Sequence, residues 1–237
     1  MLDLKLLRSL FDGAEISVGE DELSKFETYA KLLVEWNEKI NLTAITAPDE
    51  ICEKHFFDSV MPFYMWGGLK NGAEIIDVGT GAGFPSCPLK IVRSDLSLTL
   101  LDSLNKRINF LNTLSESIGL DAECVHGRAE EFGNNADFRE KFDIATARAV
   151  ANLRDLCEYC VPFVKVGGYF VALKGQSGLQ EVDEAKNAIR ILGGKVEKTF
   201  EYTLPNGDGR VLVIIKKVST TPAKYPRNKG QMKKKPL

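Results

Sequence analysis

Asp77-Val-Gly-Thr-Gly-Ala-Gly-Phe-Pro85 follows the apolar pair Ile75-Ile76, which predicts a buried strand that turns sharply through three alternating glycines into a helix. Gly79, Gly81 and Gly83 remove Cβ atoms where a backbone takes unusual dihedrals and approaches a ligand closely, and Asp77 supplies an acceptor at the strand's carboxyl end. A dinucleotide fingerprint places its third glycine one position later, where this chain has Phe84. The spacing is therefore G-x-G-x-G, which disfavours the approach of a pyrophosphate. S-Adenosylmethionine (AdoMet) has no phosphate. Its ammonium, sulfonium and adenine suit a cradle with an acid before the glycines and a bulky apolar residue after them. A tight turn that binds nothing has the same glycines, so the flanking sequence has to separate the two readings.

From residue 74 onward strand-like and helix-like segments alternate, with strands over 74–79, 97–102, 121–126, 142–147, 168–174, 195–203 and 210–217 and helices over 84–92, 104–118, 152–163 and 178–192. Such alternation builds a parallel sheet. The turn Pro205-Asn-Gly-Asp-Gly209 is too short for a crossover, so the last two strands must be antiparallel. The expected fold over residues 71–218 is α/β: a Rossmann-like seven-stranded sheet of the AdoMet-dependent methyltransferase type, mostly parallel with a C-terminal antiparallel hairpin. Upstream, Leu23, Phe26, Ala30, Leu33, Val34 and Ile40 recur at threes and fours in an amphipathic helix, and 51–66 continues with aromatic and apolar residues up to Gly67-Gly68. Residues 1–70 are read as an N-terminal helical cap on the sheet.

A chain of 237 residues, 44% hydrophobic and 27% charged, has room for one α/β domain with an appendage. No apolar stretch reaches the length a bilayer demands, and Met1-Leu-Asp-Leu-Lys-Leu-Leu-Arg8 mixes charges into its leucines unlike a secretory signal, so the expectation is a cytoplasmic protein with no membrane partner. Five cysteines form an odd set in a chain too large to need disulfide staples. Cys157 and Cys160 fit a buried helix face better than a redox pair, and with two histidines in the chain no metal centre is expected. The net charge of −2 hides an asymmetry: residues 216–237 hold eight Lys or Arg and no acid. Residues 219–237 are read as a basic tail. It is either a flexible arm for a phosphate backbone, with Lys224 and Arg227 as RNA contacts, or a merely solvated end.

Right-handed crossovers place the cofactor at the carboxyl ends of the first strands, so each strand end should supply a contact. Asp102 ends Leu98-Thr-Leu-Leu-Asp102 and lies 19 residues past Gly83, the position of an acid that binds ribose hydroxyls; capping the following helix is its other reading. Glu130, after the third strand in Gly127-Arg-Ala-Glu-Glu-Phe132, is placed with the Ala129 backbone to meet an adenine edge, or is one of a solvated acidic pair. After the fourth strand comes Phe142-Asp-Ile-Ala-Thr-Ala-Arg-Ala-Val-Ala-Asn152. It has neither the Asp/Asn-Pro-Pro-aromatic turn of exocyclic-amine methylases nor the Pro-Cys nucleophile of cytosine C5 enzymes. Arg148 marks the strand end instead, among the small residues Ala145, Ala147, Ala149 and Ala151, which suggests a pocket; a surface salt bridge is the alternative.

Asn41-Leu-Thr43, His55-Phe-Phe-Asp-Ser59, the glycine turn, Leu100-Leu-Asp-Ser103, Arg128-Ala-Glu-Glu131, Ala147-Arg-Ala-Val150 and Ala172-Leu-Lys-Gly175 follow one another as in the RsmG (GidB) family, which this chain resembles from about residue 20 onward. The resemblance implies a methyltransferase acting on N7 of a guanine in small-subunit (16S) ribosomal RNA, with S-adenosylhomocysteine as product and a small ribosomal subunit or its precursor as partner. It also implies AdoMet contacts at Gly79, Phe84, Ala129, Glu130 and Arg148; Arg148 is the catalytic candidate from its place at the strand end, either donating to guanine O6 or ordering the cofactor. His55, Asp58, Arg128, Lys174 and Arg210 match further family positions with either substrate or structural roles; of these His55, Arg128, Lys174 and Arg210 are candidates for the RNA. Ser86-Cys87 departs from the family pattern, where a glycine and an aliphatic residue are usual. Two other readings of the chain stay open at this level: a non-catalytic RNA-binding or ribosome assembly factor that keeps the cofactor fold, and an NAD-linked oxidoreductase, against which Phe84 counts.

Overall fold

Along the central strands alternate residues are apolar on both faces, so the sheet has to be covered on both sides. In the computed structural model, which describes residues 2–237, Ile75, Leu98, Leu100, Ile144 and Val171 belong to one core and Ile76, Leu101, Ala145, Phe170 and Ala172 to the other. The seven strands are β1 (Glu74–Val78), β2 (Ser97–Asp102), β3 (Glu123–His126), β4 (Phe142–Arg148), β5 (Val164–Gly175), β6 (Gly194–Thr203) and β7 (Gly209–Lys217). They are ordered β3-β2-β1-β4-β5-β7-β6. Pairings from β3 to β5 are parallel; β7 lies antiparallel between β5 and β6. The expected sheet and its closing hairpin are therefore present. The strand order reverses between β1 and β4, and the carboxyl ends of those two strands open the crevice in which such sheets bind ligands.

The cap is built from α1 (Leu4–Gly13), α2 (Glu20–Ile40), α3 (Pro48–Glu50), a π-helical segment (Ile51–Phe57) and α4 (Asp58–Trp66). It covers the first face together with α5 (Ser86–Val92) and α6 (Asn105–Ile118). Phe11, Phe26, Phe56 and Phe63 are fully buried there, and Trp36 of α2 meets Phe110 of α6 edge-on at 5.7 Å. The second face is covered by α8 (Leu153–Cys160) and α9 (Gly178–Ile191). Cys157 and Cys160 are buried on α8, as their spacing suggested, and burial raises both thiols' pKa. No helix among the described residues is long and apolar enough to cross a membrane, and none of their His, Cys, Asp and Glu side chains gather in a group that could hold a metal ion.

The structure departs from the sequence reading in three places. β5 starts at Val164, before Gly167-Gly168 rather than after it. The glycines allow the strand to loop out and re-pair: Gly167 has φ of 95°, and a Cβ on Gly168 would lie 2.5 Å from the Asp143 carbonyl. Between β3 and β4 the chain adds a short helix, α7 (Ala129–Phe132). The third concerns residues 219–237, which are no free arm. Tyr225, Pro226 and Met232 are buried, and α10 (Lys229–Lys234) is laid against the body. Arg227, read as an RNA contact, has its guanidinium locked on Glu158 at 2.7 and 2.8 Å, with Glu158 2% exposed. A cation held by a buried carboxylate in two-pronged geometry is not available to a phosphate.

One tether fixes the cap to the glycine turn: the Tyr29 hydroxyl of α2 donates to the Ala82 carbonyl in a buried site. Tyr29→Phe leaves that carbonyl buried and unpaired, so stability measured by urea unfolding should fall by about 1–3 kcal/mol. A change below about 0.5 kcal/mol would show that cap and turn do not depend on this bond.

Candidate active site

The three glycines do three different jobs. Gly79, at φ 72°, is the bare ridge: a Cβ there would come within 2.9 Å of Val150, which the turn after β4 holds over it. Ala149 adopts a left-handed φ of 55° in that turn, a strained conformation for a residue with a side chain. Gly81 turns its N–H onto Asp102 Oδ2 at 3.0 Å. Gly83, at φ 94°, makes room for packing, since a Cβ would meet Cys87 Sγ and Tyr29 Oη at 2.7 Å. Asp77 is fully buried beneath the turn, with Oδ2 accepting from Thr80 Oγ1 at 3.1 Å and the Ser86 N–H at 3.2 Å. Gly83 and Asp77, both read as cofactor contacts, therefore shape the turn from behind and line neither of the cavities in front of it. Burial pushes the Asp77 carboxyl up to about 7.

Two cavities meet at Gly79. The first, about 470 Å³, lies between the turn, β4, β5 and the cap, and His55, Gly81, Phe84, Arg148, Lys174 and Arg210 all face it. The second, about 400 Å³, lies over the ends of β2 and β3 and is faced by Asp102, Arg128, Ala129 and Glu130. Every sequence-derived candidate other than Asp77, Gly83, Lys224 and Arg227 thus borders one of the two. Lys224 and Arg227 border a separate depression beside Arg128 and Glu131.

Phe84 is the junction of the first cavity. Its ring stacks on Tyr29 (centroids 5.4 Å, planes 7° apart) and on His55 (4.4 Å, 14°), and the Arg148 guanidinium lies 4.8 Å from its centroid. The π-helical segment explains how His55 and Arg148 come together. Both Lys54 and His55 lie on it: the Lys54 carbonyl accepts from Arg148 Nη1 at 3.1 Å, and His55 Nδ1 lies 3.4 Å from Nη2. His55 Nε2 lies 2.9 Å from Thr43 Oγ1. The network assigns a neutral imidazole that donates from Nε2 and accepts at Nδ1. Burial and then the Arg148 charge pull its pKa down to about 3. Arg148 is itself desolvated, which lowers its pKa, while Asp58 acts in the opposite direction.

Asp58, 3% exposed, anchors this cluster: it takes Arg210 Nε at 3.1 Å and the Tyr202 hydroxyl at 2.9 Å, and sits 3.7 Å from Arg148 Nη1. Lys174 is held by the Ala151 carbonyl and Glu181 at 2.8 and 2.7 Å. With Lys54, Arg107, Arg148, Lys174 and Arg210 against Asp58 and Glu181, the first cavity is electropositive. In the second cavity Asp102 joins the glycine turn to the entry of α6, whose N-cap is Leu104 rather than Asp102 itself. Oδ1 accepts the Leu104 N–H at 2.9 Å at the start of α6, and Oδ2 accepts from Gly81 and, at 3.2 Å, from Arg107. Sequence reasoning missed Tyr29, Val150, Tyr159 and Met232; for Tyr29 a signal existed, since Phe26, Tyr29 and Leu33 share the three-four spacing of α2.

The chain matches the family model described as GidB, rRNA small subunit methyltransferase G, over residues 22–206. It is 50% identical over 227 residues to the ribosomal RNA small subunit methyltransferase G of Streptococcus pyogenes serotype M49, covering 95% of each chain. It is also 50% identical over 223 residues to the protein of the same name from Lactobacillus acidophilus, covering 93% of each. Among solved structures it is similar in fold to the fibrillarin pre-rRNA processing protein of Methanococcus jannaschii, with a TM-score of 0.50 and 18% identity over 63% of this chain and 69% of that one. TrmN from Thermus thermophilus gives a TM-score of 0.50 and 14% identity over 70% and 53% of the two chains.

The neutral His55 generates a pH signature. Its folded pKa of about 3 lies below the ordinary 6.5, so the unfolded chain binds the extra proton between those values. The stability it contributes is full above about 6.5 and is lost as pH falls toward 3. Asp77, raised to about 7, works in the opposite direction in an overlapping window, so the informative quantity is a difference between proteins. The stability gap between wild type and His55→Asn should shrink by up to about 1.4 kcal/mol per pH unit as pH is lowered from 6 to 4. Parallel unfolding curves across that range would contradict a buried neutral His55.

Proposed function

Because the chain belongs to the GidB family of rRNA small subunit methyltransferase G proteins, we propose that it transfers a methyl group from AdoMet to N7 of a guanine in 16S ribosomal RNA, in the cytoplasm and on a small ribosomal subunit or its precursor. The observation that carries the reading is the pair of cavities that meet at the Cβ-free ridge of Gly79, one acidic at its strand ends and the other electropositive. The donor set fits AdoMet. Asp102 and Glu130 offer carboxylates to ribose hydroxyls and an exocyclic amine, Ala129 offers backbone, and Gly79 permits close approach. AdoMet supplies an electrophilic methyl on a sulfonium.

Guanine N7 has a lone pair and no proton to lose, so the reaction requires no general base. The residues of the first cavity match that requirement: His55, at a pKa of about 3, is a weak base engaged by Thr43 and Arg148. What they provide is alignment in a pre-ordered wall, a contribution of roughly 7–11 kcal/mol at its limit. Arginine ordinarily reads guanine through O6 and N7 together, but N7 must stay free here. Arg148, fixed on Phe84 and the Lys54 carbonyl, is assigned the orienting contact with O6. Lys54 and Arg210, the part-exposed cations of this cavity, would then face the phosphodiester chain, which makes RNA affinity fall with salt, while Lys174 stays buried on Glu181.

Arg148→Lys keeps the charge but loses the planar fork. Incubated with labelled AdoMet and small subunits from cells lacking the protein, the variant should lower kcat by about 100-fold or more, while RNA retention changes little. Turnover equal to wild type would remove Arg148 from the reaction. Failure of the wild type to label RNA would overturn the whole reading and leave a binding protein.

A further inference from the structure

We infer that the segment after β7 forms the outer wall of the adenosine end of the cofactor site, with Met232 as the residue that meets the purine. The inference rests on the AdoMet reading above. The path of the strap is fixed by buried polar ties rather than by its own secondary structure. Thr221 donates its N–H to Glu140 at 2.8 Å and its hydroxyl to the Leu192 carbonyl at 2.7 Å. Arg139, from the body, donates to the Thr221 and Tyr225 carbonyls at 2.6 and 2.7 Å. Glu158 of α8 then receives both the backbone N–H and the guanidinium of Arg227. A carboxylate so deeply buried costs stability unless paired, so the pair holds the strap in one place.

The consequence lies just beyond that clamp. Once Arg227 is seated on α8, α10 is carried to the second cavity, where Lys229, Met232 and Lys233 line it together with Asp102 and Glu130. Met232 is 3% exposed, although its neighbours Gln231 and Lys233 are exposed. A flexible thioether suits the face of an aromatic ring. Together with Arg128 the two ammonium groups balance the three acids of the same cavity, Asp102, Glu130 and Asp155. A nucleoside placed against Asp102 and Glu130 is therefore bounded by the strap, whereas a ligand confined to the first cavity is not.

The test uses the full-length protein with three probes: S-adenosylhomocysteine, adenosine, and methionine, which lacks the nucleoside. Binding is followed by calorimetry, and trypsin cleavage after Lys229 and Lys233 by mass spectrometry. S-Adenosylhomocysteine and adenosine should slow both cleavages several-fold, and methionine should not. Met232→Ala should weaken both nucleoside ligands about tenfold, with recovery in Met232→Leu and no change in Lys224→Ala. Lys229→Ala/Lys233→Ala, a double change of exposed residues that spares folding, should weaken them several-fold. If S-adenosylhomocysteine binds wild type and all variants alike and cleavage rates ignore it, the strap inference fails and the methyltransferase reading stands. If wild type binds no S-adenosylhomocysteine, both fail.

Discussion

Phe84 ties together four pieces of chain that the sequence holds far apart. Its ring lies between Tyr29 of α2 and His55 of the π-helical segment, belongs to the glycine turn after β1, and carries the guanidinium that ends β4. Removing the ring would take away the stacking partner of Tyr29 and His55 and the apolar face beside the Arg148 guanidinium, while the rest of the cap core remains. The same ring occupies the position where a dinucleotide site has its third glycine, so one residue both disfavours pyrophosphate and assembles the electropositive cavity. One side chain thus belongs both to the glycine turn and to the packing that joins it to the cap.

Charge is handled unevenly across the two cavities. In the first, buried Asp58 is compensated by Arg210, Arg148 and Tyr202, and Lys174 by Glu181, so the cations are desolvated but fixed. Fixed dipoles and charges need no reorganisation when a substrate arrives, which suits a reaction governed by alignment. In the second cavity Asp102 is the hinge of the arrangement, since it holds Gly81 of the glycine turn, the start of α6 and Arg107. Placing a ribose on that carboxylate would compete with the Arg107 contact, at 3.2 Å the longest of the three.

Much of this was legible in the chain. Strand spacing and the short turn at Pro205 gave the seven-stranded sheet with its antiparallel end, and the small residues around Arg148 marked a pocket that exists. What could not be read depends on long-range partners. Nothing local in Tyr225-Pro-Arg-Asn-Lys-Gly230 says that Glu158, 69 residues earlier on α8, will take Arg227 out of solvent, so a run of bases read as a free arm or a solvated end. The glycines illustrate the same limit: spacing identified the turn, but only the positions of Val150, Cys87 and Tyr29 separate a ligand-facing glycine from a packing one. The early start of β5 was hidden because a glycine pair is as compatible with a bulge inside a strand as with its beginning.

The central claim is that the ridge at Gly79 separates the two ends of one ligand. A crystal structure of the protein with S-adenosylhomocysteine tests it most directly. The adenosine should lie in the cavity of Asp102 and Glu130, the sulfur beside Gly79 and the amino-acid end in the first cavity, with room left before Phe84 and Arg148 for the base. Finding the ligand wholly within one cavity, or the adenosine on the Arg148 side, would contradict it.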